Sequence, residues 1–248
     1  MDFKRRIEER SVGAWEKCIP NLSVDCVVFG FHNAKLKVLL LRSKYKEVWQ
    51  LPGGYVLKTE NLDEAANRIL FERTGASNIY LQQFRVFSDV NRNKGFFDEF
   101  SDDFWNKQRF ITVGFYALVD FTQVNLVQDI ISDACEWKSL DELPELMMDH
   151  RSIFDKALVT LRKQLNYKPI GYNLLPEKFT MPELQKLYEI ILNKKLNRGN
   201  FYRKILRYDI LEKLDEIRKG GAHKAPDLYR FDITKYQSAL KNGLNEGW

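Results

Sequence analysis

The stretch Gly53–Ala76, GGYVLKTENLDEAANRILFERTGA, predicts the end of a strand, a glycine turn and a capped α-helix. Asn61 stands at the N-cap and Glu64 follows three residues later, which is the spacing of a capping box. Gly75 stands where a left-handed residue would end the helix. An apolar stripe at helical spacing consists of Leu62, Ala65, Ala66, Ile69 and Leu70. The stripe predicts that one face of this helix is buried.

The spacing of this stretch resembles the Nudix box, whose pattern is G-x5-E-x7-R-E-U-x-E-E-x-G-U with U a bulky aliphatic residue. The residues that match the pattern are Gly54, Glu60, Arg68, Leu70, Glu72 and Gly75. Ile69 and Arg73 replace two glutamates of the pattern, and Ala76 is small for its last position. The resemblance implies the α/β/α sandwich of Nudix proteins.

The two replacements change the helix face that holds a metal ion in active Nudix enzymes. Positions 69, 72 and 73 share one face, because they are separated by three and four residues. In the family this face collects carboxylates, which bind Mg²⁺ against the pyrophosphate of the substrate, and Mg²⁺ prefers oxygen ligands. The summed formal charge of the three positions is −3 in the family pattern and 0 in this chain. We therefore expect no bound metal, no cofactor and no catalytic residue, while Glu60 and Glu72 either bind ligand or only pair with Arg68.

Composition indicates a globular protein with room for one large or two smaller domains in 248 residues. No apolar run reaches the length of a membrane helix, and the charged N-terminus lacks a signal core, so a cytoplasmic location is expected. Three cysteines without paired spacing are expected to be reduced. From residue 171 onward there are 15 basic and 10 acidic residues, against 24 and 24 before it. This asymmetry suggests a polyanionic partner for the last third, with a solvated basic surface as the alternative.

Four segments are predicted along the chain. Residues 1–20 are a lead-in without a clear pattern, residues 21–167 form the Nudix-like domain, residues 168–179 form a linker, and residues 180–248 form a second domain. Strands of the first domain are predicted at 24–31, 36–41, 48–57, 79–87, 109–119 and 135–138, with a turn at 32–34 and a helix at 149–165. Asn91–Gln108 combines polar and aromatic residues and is expected to be a long loop.

The last segment has the pattern of a winged helix-turn-helix. Thr180 and Glu183 form a second capping box before an apolar stripe, and Asn197 can cap a following helix. Two strand-like runs, Ile210–Ile217 and Leu228–Ile233, then flank a basic glycine turn. Base edges would be reached from the start of the second helix by Arg198, Asn200, Arg203 and Lys204, and phosphates would be contacted by Arg207, Lys219 and Lys224. Because one small module rarely gives enough affinity, a homodimer on palindromic double-stranded DNA is expected.

Over nearly its whole length the chain resembles the Nudix-related transcriptional regulators, including ELPELMMDH at 142–150 and GYNLLPEKFT at 171–180. The resemblance implies a Nudix domain that senses a small effector, either an ADP-ribose-like nucleotide or a pentose such as arabinose, the second branch being more similar. Candidate effector-binding residues beside the box are Asp25, Trp49, Asp89, Arg92, Arg109, Asp149 and His150. The alternatives are an active Mg²⁺-dependent pyrophosphatase with an accessory winged helix, and a module whose basic helix binds an acidic protein.

Overall fold

A computed structural model describes residues 3–76, 79, 81–124, 126, 130–169, 171–172, 174–217 and 226–244. It divides into two compact units, one formed by Met1–Gly30 with Lys37–Leu158 and the other by Phe31–Leu36 with Val159–Trp248. None of the helices within these described ranges combines the length and the apolar content that crossing a membrane would require.

The first unit is built on a mixed seven-stranded sheet. The elements up to residue 164 are α1 (Phe3–Lys17), β1 (Cys18–His32), β2 (Lys35–Ser43), β3 (Trp49–Gln50), β4 (Gly53–Leu57), α2 (Leu62–Thr74), β5 (Gln82–Phe87), β6 (Ile111–Val119), β7 (Ser132–Ser139) and α3 (His150–Gln164). The strand order is β3-β2-β1-β6-β5, with β4 paired to β1 and β7 paired to β2. Strands β1 and β6 run parallel and pair from Leu22↔Ile111 to Gly30↔Val119.

Alternating side chains of β1 supply the core on both faces of this sheet. On one face, Val24 and Val28 pack in the same buried cluster as Ile69 of α2. On the other face, the ring of Phe29 lies 5.9 Å from the ring of Phe154 of α3. The first unit is therefore the predicted α/β/α sandwich.

Helix α2 begins and ends as its sequence predicts. The Asn61 side chain accepts a hydrogen bond from the Glu64 N–H at 3.0 Å, and the Glu64 carboxylate accepts one from the Asn61 N–H at 2.9 Å. Gly75 ends the helix in the left-handed conformation, with φ of 74°. These local hydrogen bonds place the apolar stripe of α2 against the sheet.

Residues 1–20, in which the sequence shows no clear pattern, contain the helix α1 at Phe3–Lys17. The helix is held by long-range contacts. The Ser11 hydroxyl accepts a hydrogen bond from the Trp105 N–H at 2.7 Å, and the Trp15 and Trp105 rings meet edge to face at 4.7 Å. Partners some 90 residues away in the chain cannot be recognised from the sequence of the helix itself, so the sequence analysis did not predict this helix.

The second unit contains a winged helix, as predicted. Its elements are β8 (Phe179–Thr180), α4 (Met181–Leu192), α5 (Arg198–Arg207), β9 (Leu211–Ile217), β10 (Asp227–Phe231) and α6 (Ile233–Asn242), and its sheet order is β8-β10-β9. Thr180 and Glu183 form the predicted capping box, and the Asn197 side chain caps α5 by accepting from the Asn200 N–H at 3.0 Å. Leu187, Ile191, Phe201 and Ile205 are fully buried between the two helices and the sheet.

Two details of this unit differ from the sequence prediction. The run Leu228–Ile233 is not one strand, because β10 ends at Phe231 and Asp232 caps a further helix, α6, through the Lys235 N–H at 3.1 Å. Phe179, at the end of the predicted linker, is fully buried and pairs with Tyr229.

Candidate functional site

The three charged residues that match the Nudix pattern, Glu60 before α2 and Arg68 and Glu72 within it, form ion pairs with one another. Arg68 Nε donates to Glu60 Oε2 at 2.8 Å, Arg68 Nη1 donates to Glu72 Oε2 at 2.9 Å, and Arg68 Nη2 donates to the Tyr55 carbonyl at 2.9 Å. Glu60 also accepts from the Leu57 N–H at 2.8 Å. The hydrogen bonds from Arg68 lower the pKa of Glu60 despite its partial burial. Both carboxylates are thus already partners of a guanidinium.

Ile69 belongs to the core, as its place in the stripe predicts. It is 1% exposed, and a Cβ added at Gly54 would lie 3.0 Å from its Cγ1 atom. The helix and β4 therefore approach closely at this point, and a longer charged side chain at position 69 would have to displace this contact.

The remaining chemistry of this face does not fit the magnesium ion that the Nudix fold implies. Arg73 places a cation where a carboxylate would be needed, and Glu60 and Glu72 share the charge of Arg68. A Mg²⁺ ion needs several oxygen ligands in near-octahedral order. Within the described ranges, no group of three or more His, Cys, Asp or Glu side chains is arranged to hold a metal ion.

A buried ionic cluster joins three separate parts of the first unit. Arg92 donates to both oxygens of Asp149, at 3.0 and 2.9 Å, and to Asp25 Oδ2 at 3.2 Å. Thr112 of β6 also donates to Asp25 Oδ2, at 2.8 Å. Burial alone would lower the pKa of Arg92, but the charges and hydrogen bonds of the two aspartates raise it above its ordinary value. The guanidinium is therefore held charged between β1 and the start of α3.

His150 lies beside this cluster as a neutral side chain. Its Nδ1 atom accepts a hydrogen bond from the Leu51 N–H at 3.0 Å, so the proton of the neutral ring is assigned to Nε2, which lies 3.7 Å from Asp25 Oδ1. Burial lowers the pKa of His150, and the charges of Arg92 and Arg73 lower it further, against the effect of Asp25 and Asp149.

Glycine at position 53 makes room for the cluster. A Cβ at Gly53, which pairs with Asp25 across β1 and β4, would lie 2.3 Å from Asp25 Oδ1. Any other residue there would push the carboxylate from its place between Arg92 and His150.

Asp25, Gly53, Arg92 and His150 line a cleft of about 870 Å³ in the first unit. Its lining also includes Arg68 and Arg73, residues of α1 and residues of the segment after Arg92. Polar and charged side chains of the wall, which the sequence did not single out, include Arg6, Arg10, Lys17, Ser43, Asn93 and Asn106. A cleft of this size accommodates a nucleotide-sized molecule.

The segment 91–108 is a loop, as predicted, apart from one turn of 3₁₀ helix at Trp105–Lys107. Its aromatic residues are buried against one another: Phe100 and Phe104 stack at 4.1 Å, and Tyr45 of the neighbouring loop stacks on Phe97 at 5.7 Å. Asn93 donates to three carbonyl oxygens at the end of the segment, of Asn106, Lys107 and Gln108. A small core of its own thus shapes the loop as one wall of the cleft.

The seven candidate effector residues fall into two groups. Asp25, Arg92, Asp149 and His150 meet in the ionic cluster. Three others do not line the cleft in the described structure: Trp49, whose ring lies 4.1 Å from Lys138 Nζ; Asp89, whose carboxylate accepts from the Asn91 N–H; and Arg109, which is exposed. Thr112 was missed by the sequence prediction, although a polar residue inside the apolar run of β6 is a usable signal.

A second candidate surface lies on α5. Arg198, Asn200, Arg203 and Arg207 are exposed, and Lys204 is half-buried. Arg203 Nη2 donates to Asn200 Oδ1 at 2.6 Å, which orients both side chains at the start of the helix. Phosphate oxygens and base edges are the partners that such groups bind in DNA. Lys219 and Lys224 of the predicted wing lie outside the described residues.

Two family models match the two parts of the chain in which these candidate sites lie. A NUDIX domain model matches residues 20–157, and a model of the NrtR DNA-binding winged helix domain matches residues 171–231. Together they define the class of protein, in which a NUDIX domain precedes a DNA-binding winged helix.

Similarity to individual proteins narrows the class to a family. The ADPR responsive transcriptional repressor NtrR of Acinetobacter baylyi is 32% identical over 225 residues, which are 88% of this chain and 84% of that protein. The crystal structure of Shewanella oneidensis NrtR complexed with a 27mer DNA is 25% identical with a TM-score of 0.70, covering 92% of this chain and 99% of that one. The chain belongs to the NrtR family of NUDIX proteins. A MutT/nudix family protein from Enterococcus faecalis, 19% identical with a TM-score of 0.67 over 94% of this chain and 99% of that one, shares the fold.

Proposed function

We propose that this protein is a DNA-binding transcriptional repressor whose NUDIX cleft senses an ADP-ribose-like nucleotide without hydrolysing it. The observation that carries the proposal is the cationic, exposed face of α5 within a winged helix that matches the NrtR DNA-binding domain. A solved relative of the same domain order is bound to a 27mer DNA, and a second relative is named as a transcriptional repressor.

In the proposed complex, α5 enters the major groove of the operator. Its N-terminal residues Arg198, Asn200 and Arg203 reach base edges, and Arg207 holds phosphate. Arginine reads guanine and asparagine reads adenine through paired hydrogen bonds. The contact between Arg203 and Asn200 holds the two groups near the helix start before DNA arrives. Two copies of the chain would bind a palindromic site, with one α5 in each half-site.

The nucleotide is the better supported of the two effector classes. The Acinetobacter relative is described as ADPR responsive, whereas neither named regulator is described as a sugar sensor. The cleft of about 870 Å³ is also large for a single pentose, since sites of this size hold drug-sized ligands. We propose that ligand binding in the cleft lowers the affinity of the repressor for its operator.

Loss of hydrolysis is proposed from the chemistry of α2. Active NUDIX enzymes use carboxylates at positions that are here Ile69, which is buried, and Arg73, which carries a cation. The two surviving glutamates share Arg68. Purified protein with Mg²⁺ and ADP-ribose is expected to release no AMP above the buffer blank, and turnover at enzymatic rates would instead support the pyrophosphatase alternative.

The DNA proposal is tested by fluorescence anisotropy with duplexes taken from upstream of the protein's own gene and its neighbours. We expect sequence-specific binding that weakens with salt, and release by ADP-ribose but not by arabinose. Arg203→Gln is expected to weaken operator binding by about 5- to 150-fold, the loss of one base contact. Lys241→Gln, which removes an exposed cation from α6, is the matched control and should leave binding unchanged. Absence of specific binding under every effector condition would reject the proposal.

A further inference from the structure

We infer that a second stripe of α5, formed by Gly199, Tyr202 and Leu206, reads the C5-methyl groups of thymines in the major groove of the operator. The inference rests on the proposed function and adds an apolar contact to those proposed for the cations and the asparagine of this helix. Thymine presents its methyl group in the major groove, beside the donor and acceptor atoms of the base pairs.

The exposed surface of α5 consists of two parallel stripes. Phe201 and Ile205 are buried, which fixes the face that points into the unit. The polar stripe contains Asn200, Arg203 and Arg207, and the apolar stripe contains Gly199, Tyr202 and Leu206. Within each stripe the members are three and four positions apart, so they line up along one side of the helix. The stripes are adjacent, because Arg203 stands four positions after Gly199 and three before Leu206.

The two large side chains of the apolar stripe are exposed and oriented. Leu206 is 41% exposed and Tyr202 is 36% exposed. The hydroxyl groups of Tyr202 and Tyr229 share a hydrogen bond of 2.8 Å, and Tyr229 is buried on β10. Rotation of the Tyr202 ring would leave the hydroxyl of Tyr229 without this partner. The ring is therefore held along the helix, one turn before Leu206.

Gly199 allows the stripe to approach a partner closely. Its backbone is helical, and a Cβ there would lie 3.6 Å from Asn197 Oδ1, which is an ordinary van der Waals distance. Packing against this neighbour thus does not require glycine, and glycine is among the least favourable residues in a helix. A position without a side chain lets another molecule come close to the backbone. Glycine in the first turn of α5 therefore favours contact with DNA.

The charge of α5 decides which partner fits the apolar stripe. Its ten residues include no carboxylate and four cations, namely Arg198, Arg203, Lys204 and Arg207. A second copy of the helix would bring like charges together, whereas DNA brings phosphates that attract the cations. Among the groups that base pairs present in the major groove, the thymine methyl is the apolar one. The exposed leucine and tyrosine ring therefore match thymine.

The test is a double-mutant cycle between Leu206 and single thymine methyl groups, measured by fluorescence anisotropy with the full chain and its operator duplex. Deoxyuridine replaces thymidine at one half-site position at a time, which removes the methyl group and keeps every hydrogen-bonding atom of the base. We expect the wild type to bind about fourfold less tightly at one or more positions, as for the loss of one buried methyl group. Leu206→Ala should bind the thymine duplex less tightly and should no longer distinguish the two duplexes.

Two control variants keep the apolar stripe intact. Arg203→Gln changes the polar stripe, so it should weaken binding but still distinguish thymine from deoxyuridine by about fourfold. Ile233→Ala removes an exposed apolar side chain from the start of α6 and should bind both duplexes like the wild type. Urea unfolding of each variant checks that no difference in binding comes from loss of folded protein.

The outcomes separate this inference from the proposed function. If the operator is bound specifically but deoxyuridine has no effect at any half-site thymine, or if Leu206→Ala still distinguishes the two duplexes, the inference is wrong while the DNA-binding proposal stands. Half-sites that contain no thymine would also contradict it. A changed oligomeric state of free Leu206→Ala in ultracentrifugation, with unchanged methyl discrimination, would assign the stripe to a protein contact instead. If no duplex is bound specifically, both proposals fail.

Discussion

Replacing Arg92 with methionine tests the buried ionic cluster most directly. The side chain of Arg92 is 4% exposed and donates three hydrogen bonds of 2.9 to 3.2 Å to Asp25 and Asp149. Methionine keeps much of the volume but removes the charge, so two carboxylates would remain with no cation between them. Breaking a buried ion pair from one side costs about 3–5 kcal/mol. Because the side chain of Asp149 is 19% exposed and can regain some water, we expect the free energy of unfolding to decrease by about 3 kcal/mol, the lower end of this range.

The measurement is urea unfolding followed by tryptophan fluorescence. Four of the five tryptophans, Trp15, Trp49, Trp105 and Trp137, belong to the first unit, so the signal reports its unfolding. Arg42→Met is the matched control, since Arg42 forms a similar two-bond pair with Asp133 at 2.7 and 2.9 Å on a much more exposed surface. Its effect should be clearly smaller, because water screens the exposed pair.

A double variant tests the cause of the loss. Adding Asp25→Asn to Arg92→Met removes one unpaired charge while an amide oxygen can still accept from Thr112. About 1–2 kcal/mol of the stability should return, as expected for coupled neighbours. A decrease in the free energy of unfolding below about 1 kcal/mol for Arg92→Met, or further destabilisation in the double variant, would refute the view that the ion pairs of Arg92 stabilise this unit.

Three further predictions concern the same unit. Burial lowers the pKa of His150, so below its ordinary value of 6.5 the unfolded chain binds a proton that the folded chain does not. The free energy of unfolding should therefore decrease as the pH is lowered through this range. His150→Asn should reduce this pH dependence in urea titrations between pH 4 and 8. Gly53→Ala would place a Cβ 2.3 Å from Asp25 Oδ1, and we expect the free energy of unfolding to decrease by about 1–3 kcal/mol in the same assay. An unchanged free energy of unfolding would mean that β4 shifts to accommodate the methyl group. Asn61→Ala removes the N-cap of α2 and should cost about 1 kcal/mol, visible as a lower urea midpoint, whereas an unchanged midpoint would mean that the cap is dispensable.

Much of the fold could be predicted because its signals are local. The capping boxes that begin α2 and α4, the left-handed Gly75 and the two apolar stripes each lie within one helix. The same holds for the basic face of α5, which follows from residues three and four positions apart. The exception was the start of α6, where Ile233 was assigned to the preceding strand although Asp232 provides a helix cap.

The candidate site was predictable only in part. Asp25, Arg92, Asp149 and His150 were suggested as ligand residues, but their buried cluster joins Asp25 to Arg92 across 67 residues and Arg92 to Asp149 across 57 residues of the chain. Sequence pattern alone gave no reason to separate them from Trp49, Asp89 and Arg109, which the fold carries elsewhere.

The sequence by itself determined the helices, their caps, the order of the two units and the replacement of two box glutamates by Ile69 and Arg73. Only the tertiary structure decided that residues 3–17 form a helix over the cleft and that Arg68 and Arg92 are occupied by carboxylates. The physical reason is that caps and periodic stripes are made of neighbours along the chain, whereas burial and ion pairing depend on distant segments that the sheet brings together.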